Sequence, residues 1–390
     1  TMFRDILGVK PLFYDDVDGF YFASEPQVLR NPKEVHPRLL YVYNGSLQTQ
    51  PRIFFHTDVI DDRLEVIRSK VTTLFENAVR KRVPSKKVAI LFSGGVDSTA
   101  IAYVLDRLNI PFVCITVHCG SGADLEMSRK VCEHYGWELE EVCLSETDVE
   151  RLAVDVCNMI NDCNVVKTEV GITLHAACVR AKKVGAKVVF SGLGSEEIFA
   201  GYDRHKKSGN ITRECLSGLR KMYERDLVRD DIVSMQAGVE LRLPFLDHEL
   251  VQYGLSIPEK YKMHTLGKDI FREAMHEHGL VDYVAFRPKK AAQYGSRVSN
   301  VLKRVSKGSR KSDWLHARFK GGMPKLGILL SGGKDSMYAA YIMHTQKYPL
   351  HAALTVQSKN EFSYMFQHFG TSMTSKQCEA MNIPYIEVVS

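Results

Sequence analysis

The chain has 390 residues, 45% of them hydrophobic and 25% charged, a composition of ordinary globular proteins and a length that allows two or three domains. No run approaches the roughly eighteen apolar residues of a membrane helix, and the first residues, TMFRDILGVKPLFY, hold no charged segment followed by an apolar one; the expected setting is the cytoplasm, without a membrane. Nine cysteines with no CxxC pair argue against a disulfide framework or a zinc ribbon.

The first fifty residues alternate apolar and polar positions around Pro11, Asp15 to Gly19 and Asn44 to Gly45, which predicts short antiparallel strands. From Asp62 the residues Leu64, Ile67, Val71, Leu74, Phe75 and Ala78 recur at helical spacing until Pro84 breaks the pattern. Val88 to Phe92 is a continuous apolar run, a glycine loop follows, and Ser98 to Leu105 is helical again. The alternation continues with a strand over Phe112 to Val117, helices over Leu125 to Tyr135 and Gly171 to Lys183, and a strand over Val188 to Phe190. Strands alternating with helices predict an α/β fold with a doubly wound, mostly parallel sheet, whose ligands lie beyond the carboxyl ends of the strands. After Asp203 helix predominates, and a second alternation begins at Leu326.

Two loops carry the same chemistry, SGGVDST at Ser93 to Thr99 and SGGKDSM at Ser331 to Met337. Glycines after a strand let backbone N–H groups and a helix start approach phosphate oxygens. In the first loop Ser93, Ser98 and Thr99 add hydroxyls, and Asp97 would repel a bare phosphate, so its natural task is to hold a magnesium ion. The plain alternative is a glycine turn that packs a helix onto a strand. GxxxxGK[ST] is absent from the sequence, which sets these loops apart from kinase and GTPase loops.

LFSGGVDSTAIAYVL, FSGLGSEEIFAGYDRH, SMQAGVELRLPFLDHEL, GKDIFREAM and FRPKKAAQYGS follow one another between Asp62 and Arg297. In that order they resemble the synthetase domain of the asparagine synthetase family, within the N-type ATP pyrophosphatases. The resemblance implies the adenine nucleotide alpha hydrolase-like (PP-loop) type of fold and a ligase that uses ATP and Mg2+ to adenylate a carboxylate, aspartate first among them, before ammonia attacks. It implies that Ser93, Gly94, Gly95, Asp97, Ser98, Thr99, Ser191 and Gly192 bind ATP, with adenine resting near Leu91 and Val117. Asp97 and Glu196 would bind the metal, and Lys289, Lys268 and Arg272 would be catalytic. Lys268 and Arg272 stand one helical turn apart, although a solvated helix would read alike at Arg272. Where the family reads SGEGSDE this chain reads SGLGSEE, so an acidic group near the incoming ammonia is replaced by Leu193, which cannot exchange protons. The acceptor is therefore open.

FRDILGVKPLFY and FASE resemble the end of class II glutamine amidotransferase domains, a remnant over residues 1–55. That class uses an N-terminal cysteine, whereas residue 1 is Thr1; ammonia is then expected free, from a separate glutaminase subunit, or from a region outside this sequence. KLGILLSGGKDSMYAAYIM, LTVQSKNEFSYMFQ and SKQCEAMNIPYIEV resemble the beginning of the diphthine–ammonia ligases, with Ser331, Gly332, Gly333, Asp335 and Ser336 as the phosphate loop of a partial domain over 325–390. Between them, 298–324 is read as a basic linker: Arg287 to Lys320 holds eleven Lys or Arg against Asp313 alone, either a solvated connector or a patch for a polyanion such as RNA. A homodimer is held open. The rival readings are amidation of diphthine or another acceptor, and a nucleotide-binding regulator without catalysis.

Overall fold

The computed structural model describes residues 1–288, 295–319, 326–345, 348–357 and 371–389. They form two compact units, 1–160 with 166–305 and 161–165 with 306–390. In the first, the alternating N-terminal segment yields strands β1 (Phe13–Asp15), β2 (Tyr21–Ala23) and β3 (Lys33–Glu34) in an antiparallel sheet ordered β2-β1-β3, and a hairpin of β4 (Leu39–Tyr43) and β5 (Leu47–Pro51). Tyr14, Val35 and Tyr41 form their small core. The segment is tied to the helices beyond it by Lys10 to Asp231 at 2.7 Å and by Arg38, which donates to the Arg220 carbonyl at 3.0 Å.

Helix α1 (Leu64–Arg80) buries Ile67, Val71, Leu74, Phe75 and Ala78 on one face, as their spacing requires. The main sheet is built from β6 (Val88–Leu91), α2 (Val96–Arg107), β7 (Phe112–His118), α3 (Ala123–Tyr135), β8 (Leu139–Cys143), α4 (Glu146–Ile160), α5 (Val165–Lys183) and β9 (Val188–Phe190). Then come α6 (Ser195–Phe199), α7 (Asp203–Lys207), α8 (Ile211–Met222), α9 (Val228–Gln236) and β10 (Glu240–Arg242). All five strands are parallel, in the order β10-β9-β6-β7-β8. The chain runs from β6 outward to β7 and β8 and then crosses back to β9 on the other side of β6, so the strand order reverses between β6 and β9 and a crevice opens at their carboxyl ends, where an open α/β sheet binds its ligands. Helices α10 (His248–Ser256), α11 (Glu259–Lys262), α12 (Asp269–Glu277), α13 (Asp282–Ala285) and α14 (Val298–Val305) complete the unit. Phe75, Phe199, Phe245 and Phe271 interlock with ring centroids 4.9–5.2 Å apart, which fixes α1, α6 and α12 against one another.

Three elements of the unit were not expected. Strand β8 and helix α4 lie in a gap of the predicted alternation, and β10 lies inside a motif. Strand β8, LEEVC, is an edge strand whose residues are half-buried or exposed, so it lacks the apolar run of a central strand. The basic stretch 298–324, expected as a linker, is not a plain connector in its described part. Val298, Val301, Leu302 and Val305 bury the face of α14, and α15 (Lys311–His316) buries Trp314 and Leu315.

The second unit contains β11 (Leu326–Leu329), α16 (Lys334–Thr345), β12 (Leu350–Gln357), α17 (Thr371–Met381) and β13 (Tyr385–Val389), with a parallel sheet ordered β11-β12-β13. Leu330, Ala353, Cys378 and Ile383 make a small core, while Leu329, Tyr338 and Tyr341 stay exposed. No helix among the described residues is long and apolar enough to cross a membrane.

Lys262, fully buried on α11, donates to the Leu255 carbonyl at 3.2 Å. Burial lowers its ammonium from 10.5 to about 8. The unfolded chain keeps this proton to higher pH than the folded one, so stability rises with pH between those values. Lys262→Met is expected to raise stability at pH 7 by up to about 3 kcal/mol, at about 1.4 kcal/mol per unit of displacement. Urea melts at pH 7 and pH 10 should show that gain shrinking with pH.

Candidate active site

Strand β6 runs into the first glycine loop, and α2 starts from it. The Ser93 N–H donates to Ser98 Oγ at 3.3 Å, and Ser98 Oγ donates to the Gly95 carbonyl at 3.3 Å. Gly94 has φ +63°, and a Cβ there would meet Met127 Cγ at 2.7 Å; only glycine fits a loop this close to α3. The start of α2 thus presents backbone donors and the positive end of its dipole to the crevice.

Lys268 lies beside this loop. Its ammonium donates to Asp97 Oδ2 at 2.6 Å and to Glu196 Oε1 at 2.7 Å, with Ser195 Oγ at 3.4 Å. Asp97 comes from α2, Glu196 from α6, and Lys268 from the turn before α12. Burial pushes the lysine ammonium down, but the two carboxylates outweigh it and hold it above the ordinary lysine range. Lys268 has φ +60°, a backbone region that side chains other than glycine rarely adopt.

A cavity of about 260 Å³ opens against these groups. Leu91, Ser93, Gly95, Asp97, Ser98, Val117, Ser191, Gly192, Leu193 and Glu196 all line it, so most of the expected nucleotide residues converge. Gly192 packs so closely on Asp97 that a Cβ would stand 2.7 Å from the Asp97 Cβ. Asp97 and Glu196 supply the hard carboxylate oxygens that magnesium prefers, and Asp97 Oδ1 is buried without a hydrogen-bond partner among the described residues. These carboxylates would fit a divalent cation.

Four expected residues are not in the cavity lining: Gly94 in the loop itself, Lys268 behind the two carboxylates that it binds, and Thr99 and Arg272. Thr99 is fully buried and does not line it; it sits one position after Ser98 on α2, on a different face of the helix. Arg272 is 1% exposed, and its guanidinium donates to the carbonyls of Gly267 at 2.8 Å, Ala285 at 2.7 Å and Arg287 at 3.0 Å. It is neither a solvated residue nor aimed at phosphates; it clamps the chain on either side of α12 and α13. Lys289 lies outside the described residues.

Other groups of the site are absent from the sequence reading. Arg287 donates Nη1 to the Ser93 carbonyl at 2.7 Å and Nη2 to Asp124 Oδ1 at 2.9 Å; it stands in the last motif, two residues before Lys289. Arg229, Asp230, Tyr202 and Thr173 also line the cavity. Glu197, fully buried behind it, receives Tyr202 OH at 3.0 Å and Arg225 Nη2 at 2.9 Å, and burial pushes its carboxyl up. Glu197, Tyr202 and Arg287 stand in quoted motifs, and the signal for Arg225, Arg229 and Asp230 was a charged run, ERDLVRDD from Glu224, in a helical stretch.

In the second loop Ser331 N–H donates to Ser336 Oγ at 3.3 Å, Ser336 Oγ donates to the Gly333 carbonyl at 3.0 Å, and Gly332 has φ +78°. The local conformation matches the first loop. Yet Ser331, Gly333 and Asp335 are exposed, and among the described residues no cation pairs with Asp335.

A parallel sheet whose first strand feeds Ser-Gly-Gly-x-Asp-Ser onto a helix start, facing a cavity with paired carboxylates, defines an ATP-dependent ligase of the PP-loop class. Residues 70–213 and 205–312 match the asparagine synthase family, and residues 324–390 match the diphthamide synthase N-terminal domain. The chain belongs to the asparagine synthase family. It is 31% identical over 375 residues to a provisionally assigned glutamine-hydrolysing asparagine synthetase 1 of Methanocaldococcus jannaschii, covering 78% of this chain and 68% of that one. It is 33% identical over 338 residues to the glutamine-hydrolysing asparagine synthetase of Gallus gallus and 31% identical to that of Homo sapiens, in each case covering 75% of this chain and 60% of the relative. Among solved structures, NMN synthetase from Francisella tularensis overlaps at 14% identity with a TM-score of 0.29, over 68% of this chain and 100% of that one, a likeness too distant to bear on the site.

Lys268→Met leaves two buried carboxylates facing each other without their cation. Removing one partner of a buried ion pair costs about 3 kcal/mol or more, and that loss is expected at pH 7 in urea denaturation.

Proposed function

We propose that the chain adenylates a carboxylate with ATP and Mg2+, releases pyrophosphate and transfers the acyl group to ammonia, with aspartate as the acceptor and the cytoplasm as its setting. The observation that carries this reading is the cluster of Lys268, Asp97 and Glu196 beside the glycine loop. An acyl transfer from a carboxylate needs a better leaving group than hydroxide, and AMP provides one. The loop N–H groups and the start of α2 bind the departing pyrophosphate. Asp97 and Glu196 would hold magnesium, which when bound would supply charge neutralisation to the phosphates. Lys268 supplies a fixed cation at the same place, preorganised by its two carboxylates. Adenine rests against the ends of β6 and β7 near Leu91 and Val117. Lys289, in the Arg-x-Lys of the last motif, is assigned to the charge on the reacting phosphorus, and Arg272 to positioning.

Ammonia is proposed to arrive free or from a glutaminase, in keeping with the glutamine-hydrolysing names of the relatives. Residues 62–297 are taken as the ligase domain and 325–390 as an accessory nucleotide-binding segment. A second reading has one observation in its favour: the match of 324–390 to a diphthamide synthase domain suggests a protein-bound acceptor, with the first domain serving it.

Incubation with ATP, Mg2+, ammonia and aspartate is expected to give AMP, pyrophosphate and asparagine in equal amounts. Pyrophosphate release that requires diphthine-bearing protein instead of aspartate would establish the second reading, and ATP binding without turnover on either acceptor would leave a regulator. Asp97→Asn and Lys289→Ala are each expected to lower turnover by about a hundredfold or more, the scale for loss of a preorganised charge. Asp335→Asn should leave it little changed. The reverse order would move the working site to the second loop.

A further inference from the structure

The cavity wall contains four carboxylates, and each is paired with a cation. Asp97 and Glu196 bind the Lys268 ammonium, and Asp124 receives Arg287. Asp230 stands apart from these on α9. It is 6% exposed and lines the cavity, and it receives Arg229 Nε on Oδ1 at 2.7 Å. Its second oxygen, Oδ2, accepts no hydrogen bond from the described residues.

The backbone before Asp230 is irregular. Tyr223–Leu227 forms a π-helical turn between α8 and α9, and such turns gather at functional sites. The Arg229 that holds Oδ1 is itself fixed by Asp226 at 3.2 Å, so Asp230 has a set orientation. Burial pushes its carboxyl above the ordinary aspartate range; Arg229 opposes this, and Asp226 and Asp231 add to it. From α5, Cys178 faces the same group, its thiol pushed up by burial and by Asp230. A carboxylate raised in this way is a better proton acceptor than an exposed one. Leu193, on the same cavity, has no proton to exchange.

We propose that Asp230 is the general base of the amide-forming step, which rests on the acyl-adenylate reading above. Ammonia attacks the acyl carbon and the N–C bond forms. The C–O bond to the adenylate phosphate breaks, and AMP leaves with the electron pair. The N–H proton that must be lost passes to Asp230 Oδ2, while Arg229 keeps the carboxylate in place.

The two steps can be read separately in the full chain. Aspartate-dependent exchange of labelled pyrophosphate into ATP reports adenylation, and asparagine formed from ammonia reports both steps. Asp230→Asn keeps an acceptor for Arg229 but removes the base. Asparagine formation is expected to fall by about a hundredfold while exchange stays within about twofold, the scale for loss of a general base alone. Asp230→Glu should recover much of the loss. A parallel fall in both assays, or unchanged asparagine formation, would overturn the assignment. Asp230→Ser, read in the same two assays, carries the test if the asparagine variant does not fold. Wild-type chain without any aspartate-dependent exchange would instead sink the adenylation reading, and the role of Asp230 with it.

Discussion

One ammonium holds the site together. Lys268 binds Asp97, which follows β6, and Glu196, which follows β9, so the two sides of the crevice are joined through a third element that belongs to neither strand. Without the cation, two carboxylates would share a buried space that disfavours charge. The backbone contributes as well. The left-handed conformation at Lys268 is unfavourable by about 1 kcal/mol, and the turn before α12 holds it there. The Asp269 carboxylate accepts the N–H of His264, the N–H of Thr265 at 2.9 Å and the N–H of Leu266 at 3.2 Å. Strain of this kind persists only where surrounding bonds over-determine it.

The rigidity extends inward from that turn. Phe271, on the buried face of α12, packs on Phe75, Phe199 and Phe245, so the helix that starts at Lys268 and the helix that contains Glu196 rest on one aromatic layer. Arg272 then ties the start of α12 to the carbonyls of Ala285 and Arg287. Arg287, placed in this way, reaches back to the Ser93 carbonyl and to Asp124. A residue that sequence spacing aims at phosphates thus acts one step removed, by positioning another arginine against the phosphate loop.

What the sequence revealed follows how local each feature is. The glycine loop was legible because its conformation depends on neighbours within six residues, and α1, β6 and β7 because their apolar spacing is their burial pattern. Lys268 was legible only through a motif; nothing in its spacing says that it bridges two carboxylates. Arg287 stood in a quoted motif but donates to residues more than 160 positions away, and no local pattern encodes that. Thr99 was assigned to the loop by composition, yet the helical turn that puts Ser98 on the cavity carries Thr99 away from it. Asp230 was not singled out: it is one charge in a charged run, the usual signature of a solvated face, and its burial by neighbouring elements is not written in α9 itself. Strand β8 escaped for the opposite reason: an edge strand with two glutamates carries no apolar run.

The two phosphate loops make the same distinction within one chain. Gly94 and Gly332 both take positive φ, and Ser98 and Ser336 both close their loops on the preceding backbone. The loop conformation is therefore a property of the motif. The surroundings of the loop are another matter: Asp97 is bridged by Lys268 to Glu196, which lie 171 and about 100 positions further along. Such partners are set by the packing of α6 and α12 on an aromatic core, and the described residues bring no comparable set to Asp335. That long-range convergence at the first loop has no counterpart at the second among the described residues, so a repeated motif fixes a repeated conformation and not repeated surroundings.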